Sequence, residues 1–306
     1  MTKRMSKVCI LLAAYNGQKY IREQVDSILS QQGVDVDIFI RLDPSTDKSM
    51  EIIGKISKSN RNVHLLPVIS PSGGAGQNFL HLLLEVGISD YDYIAFADQD
   101  DIWFSNKLLR AIDCINNNDV DAYSGNVIAW WESGKQSLVN KSSPQRDYDY
   151  LFESAGPGCT FVLKKDLAIE IKAFLQSLDE RIKTIWLHDW FCYAFARSRE
   201  FNWFIDSKPM MKYRQHEFNS VGANSGIAAF KNRVKEVLSG DAFLKTLNQA
   251  EVLELIDKRP IQLLLKQDFI SAIRLAFLAS KCRRKPIEQA LFVFAILAYA
   301  CKRGLK

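Results

Sequence analysis

The sequence predicts an α/β fold, a mostly parallel sheet flanked by helices, with a C-terminal helical extension. Three observations lead there. Short apolar runs alternate with amphipathic helical segments over the first hundred or so residues. The run Tyr93–Ala97 is apolar and ends abruptly at three carboxylates, Asp98, Asp100 and Asp101. From about residue 228 onward the pattern is helical, with no strand.

In chain order, Val8–Ala14 reads as a buried strand ending in the turn Tyr15-Asn16-Gly17. Tyr20, Ile21, Val25, Ile28 and Leu29 then recur at helical spacing, with Gly33 as the stop. Val36, Ile38 and Ile40 alternate as a second strand closed by Asp43-Pro44-Ser45, and Thr46-Asp47 can cap a helix over 47–59. Val63–Pro67 is a third strand. The glycine-rich loop 70–76 lacks the Gly-Lys-Ser/Thr ending of a phosphate loop, and Phe79, Leu82, Leu83 and Val86 mark the helix after it. Beyond the 93–97 strand, a helix over 105–117 leads to a strand over Ala122–Trp131, then a polar loop or loose hairpin over Glu132–Asp149. Cys159–Leu163, Phe201–Ile205 and Met210–Tyr213 read as strands, and 165–177 and 184–197 as helices. Residues 217–226, rich in Asn and Gly, are expected to be mobile.

A buried strand that delivers carboxylates at its C-terminal end places them in the crevice where open α/β sheets bind ligands. Three adjacent carboxylates repel one another, and a hard divalent ion, Mg²⁺ or Mn²⁺, relieves that repulsion while bridging to a phosphate. Asp-x-Asp alone is common, and an acidic loop is the plainer reading of it. His188-Asp189-Trp190 lies in an aromatic helical run, which desolvates the carboxylate and makes it a better base. In isolation the plainer reading is an Asp on the exposed face of an amphipathic helix. In Tyr213-Arg214-Gln215-His216, His suits Mn²⁺ and Arg suits phosphate, although as a lone feature His216 reads more plainly as a loop or strand histidine. Asp43 is either a base- or ribose-binding carboxylate or a turn-former before Pro44.

The chain has 306 residues, 47% hydrophobic and 25% charged, which excludes a disordered or fibrous protein. Its net charge of +5 gathers toward one end, at Lys281, Arg283, Arg284 and Lys285 and again at Lys302, Arg303 and Lys306, suggesting an anionic partner surface. The six cysteines show no paired spacing, which fits a reducing compartment. The uncharged run Ala290–Cys301 is far shorter than the roughly 20 residues that span a bilayer. Beside its basic flank it reads either as an interfacial anchor on anionic lipid or as a core helix packed on the rest of the chain or on a second protomer. The expected location is the cytoplasm, with peripheral attachment to the inner face of the plasma membrane where the anchor reading holds.

Taken together, Ala14-Tyr15-Asn16-Gly17, Asp43 to Asp47, Asp98-Gln99-Asp100-Asp101-Ile102-Trp103, Gly158-Cys159-Thr160, His188-Asp189-Trp190 and Tyr213-Arg214-Gln215-His216 closely resemble the family 2 inverting glycosyltransferases of GT-A fold. Within that family they look most like the bacterial rhamnosyltransferases of O-antigen and surface polysaccharide synthesis. The resemblance covers about residues 7–225. It implies that Ala13 and Tyr15 line the base pocket, that Asp43 binds the base, and that Asp98 contacts ribose or metal. It further implies Asp100 as metal ligand, His216 as a completing ligand and Asp189 as catalytic base. Asn78 falls where the family often has an Asn and is implied as a nucleotide-binding residue, while Asp101, Trp103, Gly158, His188, Trp190 and Arg214 fall within the same motifs. The expected domains are a catalytic domain over 1–225, which the resemblance covers, and outside it a helical region over 226–306 that reads as membrane-associating or oligomerising. The implied partners are a nucleotide-diphospho-sugar, best matched by dTDP-rhamnose, and a glycan or lipid-linked glycan acceptor, with no nucleic acid. One departure stands out: Leu42 and Pro44 replace the Asp and Gly usual around Asp43, so this loop must take another conformation. Two alternatives remain. A sugar-phosphate nucleotidyltransferase requires a basic, Gly-rich loop after the first strand, where this chain has Ala-Tyr-Asn-Gly. A non-catalytic assembly subunit has no reason to keep Asp98, Asp100, Asp189 and His216 together.

Overall fold

The computed structural model describes residues 4–67, 70–216 and 239–302; the segment expected to be mobile, 217–226, lies outside them. The elements of the first part are β1 (Ser6–Ala14), α1 (Ile21–Leu29), β2 (Val34–Leu42), α2 (Ser49–Ser59), β3 (Val63–Leu65), α3 (Ala75–Glu85), β4 (Tyr93–Ala97), β5 (Ile102–Trp103) and α4 (Lys107–Asn117). There follow β6 (Ala122–Gly125), β7 (Val127–Trp131), β8 (Gln136–Val139), β9 (Val162–Lys164), α5 (Lys165–Gln176), α6 (His188–Ser198), β10 (Trp203–Asp206) and β11 (Met211–Gln215).

The main sheet runs β10-β6-β9-β4-β1-β2-β3. Its pairings are parallel except at β9, which is antiparallel to both β4 and β6. Central β1 explains its own sequence. Cys9, Leu11 and Ala13 face the core layer under α3, α5 and α6, while Val8, Ile10, Leu12 and Ala14 face the layer under α1, α2 and α4. Because both faces are covered, the strand reads as a continuous apolar run instead of an alternating one. Each such fully buried aliphatic side chain contributes roughly 1.5–3 kcal/mol.

Two expectations are corrected. The run 122–131 is not one strand: it breaks at Asn126, β6 staying in the main sheet and β7 entering a second sheet ordered β5-β11-β7-β8. Asn126 marks the change: its N–H still donates to the Asp206 carbonyl of β10 at 3.0 Å, while its buried side chain bonds the 141–142 backbone and the Ser207 carbonyl. The first helix ends at Leu29 with Ser30 as its cap, four residues before Gly33.

The C-terminal part is helical throughout its described residues: α7 (Asp241–Val252), α8 (Arg259–Lys266), α9 (Phe269–Ala276), α10 (Ala279–Cys282) and α11 (Pro286–Lys302). Phe243, Leu263, Leu275, Phe292 and Ile296 form its own core, while Ala250, Leu253, Leu255 and Ile261 enter the core under the main sheet. The basic run is largely committed to this docking. Arg284 is buried and reaches Glu153 at 3.1 Å and Asp149 at 3.7 Å, Arg283 pairs with Glu288 at 3.2 Å, and Lys281 pairs with Asp147 at 2.9 Å. The run therefore clamps the extension onto segment 147–154, and Arg284 is not part of a free anionic-binding surface. Among the described residues no helix is long and apolar enough to cross a membrane.

Candidate active site

The register places Leu12 beside Ala97, so the ends of β1 and β4 open into the same crevice. The first wall is built by Gln99, which sequence reasoning passed over. Its side chain clamps Tyr15 on both sides, accepting from the Tyr15 N–H at 2.9 Å and donating to the Tyr15 carbonyl at 2.8 Å. Gly17 is required here, because a Cβ would stand 2.2 Å from the Gln99 Oε1. The clamp leaves the Tyr15 ring exposed beside Ala13, a face on which a planar base can stack.

Asp43 is buried at the end of β2. Arg41 donates to it at 2.7 Å, and the Ser72 hydroxyl and N–H also donate to its carboxylate, folding the glycine-rich loop over it. Asn78 is buried as well, donating to the Ala14 and Arg41 carbonyls and accepting from Arg41 at 3.1 Å. Asn78 thus ties β1 to β2 and positions the pocket from behind.

The acidic turn divides in two. Asp98 and Asp101 point toward Cys159, and the donor atoms of these three residues lie within 4.8 Å of one another. Asp100 turns the other way, its carboxylate 2.7 Å from Nε2 of His216. Burial, reinforced by the Asp100 charge, pushes Asp98 up to about 7 and Asp101 well above the usual carboxylate range. One oxygen of Asp101, Oδ2, is buried without a hydrogen bond, while Oδ1 accepts from the Arg214 N–H at 3.0 Å. Such under-compensated carboxylates fit a hard divalent cation. The structure gathers Asp98 and Asp101 with Cys159 and pairs Asp100 with His216, so the expected ligands Asp98, Asp100 and His216 fall into two neighbouring groups of one acidic turn.

Arg214 and Trp103 prove to be supports. The Arg214 guanidinium is buried, bonded to the Asp100 carbonyl at 2.6 Å and to Glu23, and sandwiched between Tyr20 and Trp130 at 4.3 and 4.5 Å. It fixes the acidic turn and is not open to a phosphate. Trp103 is buried and carries the Lys107 ammonium at 3.4 Å over its ring; burial lowers Lys107 to about 7.

Asp189 lies in the first turn of α6, where the helix dipole favours negative charge and its Oδ1 accepts from the Trp190 N–H. Burial nevertheless raises it to about 6, with the Trp190 N–H and the charge of Lys141 opposing the rise. Asp98 also feels the Asp189 charge, the smallest of the influences acting on it. His188 holds this corner. It is buried, tilted against Phe79 at 3.9 Å and edge-on to Phe96 at 5.2 Å, and burial lowers it to about 3, so it stays neutral. A Cβ on Gly158 would stand 2.2 Å from His188 Nε2 and 3.2 Å from Asp189 Cβ, which is why this turn reads Gly. Trp190 is a further support, donating to the Tyr150 carbonyl at 2.8 Å.

The mostly parallel sheet, with buried carboxylates gathered where β1 and β4 end, is that of a GT-A glycosyltransferase, and the chain belongs to glycosyl transferase family 2, whose family model matches residues 9–182. The chain is 47% identical over 227 residues to the dTDP-rhamnosyl transferase RfbG of Shigella flexneri, covering 74% of this chain and 78% of that protein. It is 29% identical over 185 residues to the Escherichia coli UDP-Glc:alpha-D-GlcNAc-diphosphoundecaprenol beta-1,3-glucosyltransferase WfaP, covering 60% of this chain and 70% of that one. Among solved structures, Staphylococcus aureus TarS 1–349 in complex with UDP-GlcNAc superposes with a TM-score of 0.54 at 15% identity, over 97% of this chain and 90% of that one. The mannosyltransferase PcManGT of Pyrobaculum calidifontis, in complex with GDP-Man and Mn²⁺, gives 0.51 at 15% identity, over 98% and 87%. These two likenesses confirm the fold.

Proposed function

We propose that this glycosyltransferase moves rhamnose from dTDP-rhamnose to a hydroxyl of a lipid-linked glycan in bacterial surface polysaccharide synthesis, with inversion at the anomeric carbon. The observation that carries the chemistry is Asp189, a carboxylate raised to about 6 and close enough to Asp98 for their charges to interact. At neutral pH it is ionised yet basic enough to take the acceptor proton, a contribution of about 10²–10⁴-fold. The acceptor oxygen bonds to the anomeric carbon, the bond from that carbon to the diphosphate breaks, and the hydroxyl proton ends on Asp189. Attack from the face opposite the leaving group gives the inversion.

Tyr15 and Ala13 bind the base, with Asp43 held between Arg41 and Ser72 to receive it. Asp98, Asp100 and His216 would hold Mg²⁺ or Mn²⁺, which would supply neutralisation of the departing diphosphate. The choice of dTDP-rhamnose rests on the kinship to RfbG, and the lipid-linked acceptor on the kinship to WfaP. Residues 1–225 form the catalytic domain and 226–306 the helical region. On α11, Ile287, Leu291 and Phe294 are exposed at helical spacing, which supports a peripheral seat on the membrane that carries the acceptor.

The test is thermal unfolding with dTDP, UDP, GDP and CDP, with and without Mn²⁺. A ligand at a hundredfold excess over its Kd adds about 2.7 kcal/mol. The reading expects the largest shift with dTDP plus Mn²⁺; a shift confined to UDP or GDP removes rhamnose from it.

A further inference from the structure

Lys141, two residues after β8, packs against the turn at Gly156 and has been given no role beyond its effect on Asp189. Its backbone is fixed from two sides. The buried Asn126 accepts from the Lys141 N–H at 2.6 Å and the Ser142 N–H at 3.1 Å, and Lys285 donates to the neighbouring Asn140 carbonyl. Its stem runs along the turn that shapes the base. A Cβ on Gly156 would lie 3.7 Å from Lys141 Cβ and Cγ, and Gly158, two residues on, abuts Asp189. The ammonium makes no hydrogen bond or ion pair with the described residues, and burial holds its pKa below the usual lysine value.

The surrounding charges leave a positive surplus. Glu153 and Glu288 act on Lys141, but Glu153 is taken by Arg284 and Glu288 by Arg283. Lys285 adds positive charge beside it, while Arg284 is offset by Asp149 and Glu153. Lys285 immediately precedes α11, so this surplus borders the exposed stripe of Ile287, Leu291 and Phe294. A cationic lip followed by an apolar stripe complements a diphosphate followed by a hydrocarbon chain.

We infer that Lys141, supported by Lys285, binds the diphosphate through which the acceptor glycan is joined to its lipid carrier, holding the acceptor sugar over Asp189 with the carrier along α11. The inference rests on the lipid-linked acceptor of the preceding section.

The full-length protein is titrated calorimetrically with farnesyl diphosphate, inorganic pyrophosphate and farnesol, in EDTA so that no divalent ion recruits phosphate to the acidic turn. The variants are Lys141→Ala, Lys141→Arg and Asp100→Asn, each checked by thermal unfolding. Farnesyl diphosphate is expected to bind wild type and Asp100→Asn alike, about tenfold more weakly to Lys141→Ala, and nearly normally to Lys141→Arg. Pyrophosphate binding as tightly as farnesyl diphosphate, and still dependent on Lys141, supports the phosphate site and overturns the lipid tail. Undiminished farnesyl diphosphate binding by Lys141→Ala, or equal binding of farnesol, overturns the inference. A Lys141→Ala variant that only moves the pH profile of transfer makes Lys141 a tuner of Asp189 and also overturns it. Failure of the function itself is read separately, in the nucleotide panel above.

Discussion

Replacing Gly158 by Ala tests whether the corner holding Asp189 is as tightly determined as its contacts imply. Gly158 has no left-handed backbone, so Ala adds no conformational strain and the whole effect is the methyl group. That methyl would meet His188 Nε2 at 2.2 Å and Cε1 at 2.8 Å, against an ordinary contact near 3.4 Å. The imidazole, or the turn itself, must withdraw by about 1 Å. The ring has nowhere to go, with Phe79 at 3.9 Å on one side and Phe96 at 5.2 Å on another. The start of α6 therefore moves, and Asp189 with it. Misplacing a reacting group by 1 Å costs about a hundredfold in rate, and overpacking costs about 1–3 kcal/mol of stability. Steady-state transfer, nucleotide affinity and thermal unfolding are measured on Gly158→Ala, His188→Ala and the double variant. The expectation is kcat down about a hundredfold with nucleotide affinity within about twofold, and a double variant less impaired than Gly158→Ala because removing the imidazole makes room. Wild-type kcat in Gly158→Ala refutes the reasoning.

Two further outcomes follow from the same geometry. Burial raises Asp189 to about 6, so the base is protonated and inactive below that pH and ionised above it. Transfer should therefore climb with pH up to about 6 and level off beyond; a flat profile between pH 5 and 7 speaks against Asp189 as base. Arg284 leaves Asp149 and Glu153 with less compensation when truncated, so Arg284→Ala should lose about 3–5 kcal/mol in denaturant unfolding, a far larger loss than Lys281→Ala, whose pair with Asp147 is exposed.

Much of the site was legible because its chemistry sits at strand and helix ends, where the apolar pattern stops. The run Tyr93–Ala97 and the carboxylates after it fell where the sheet places them, and the aromatic setting of Asp189 announced its desolvation. What escaped depends on distant partners. Arg283 and Arg284 look like a free basic patch until segment 149–153 is folded against them. Arg214 looks like a phosphate ligand until Tyr20, Glu23 and Trp130 enclose it. Gln99 carries no pattern at all, because its role lies in the Tyr15 backbone, 84 residues away. Asn126 did leave a signal, a polar residue inside the apolar run 122–131, but periodicity alone cannot say that a strand changes sheets there.

The most direct test of the account is transfer by Asp189→Asn, measured beside its affinity for the donor nucleotide. Asn keeps the shape and removes the base. The account predicts transfer down by about 10²–10⁴-fold with nucleotide affinity essentially unchanged. Transfer at the wild-type rate by Asp189→Asn would contradict it.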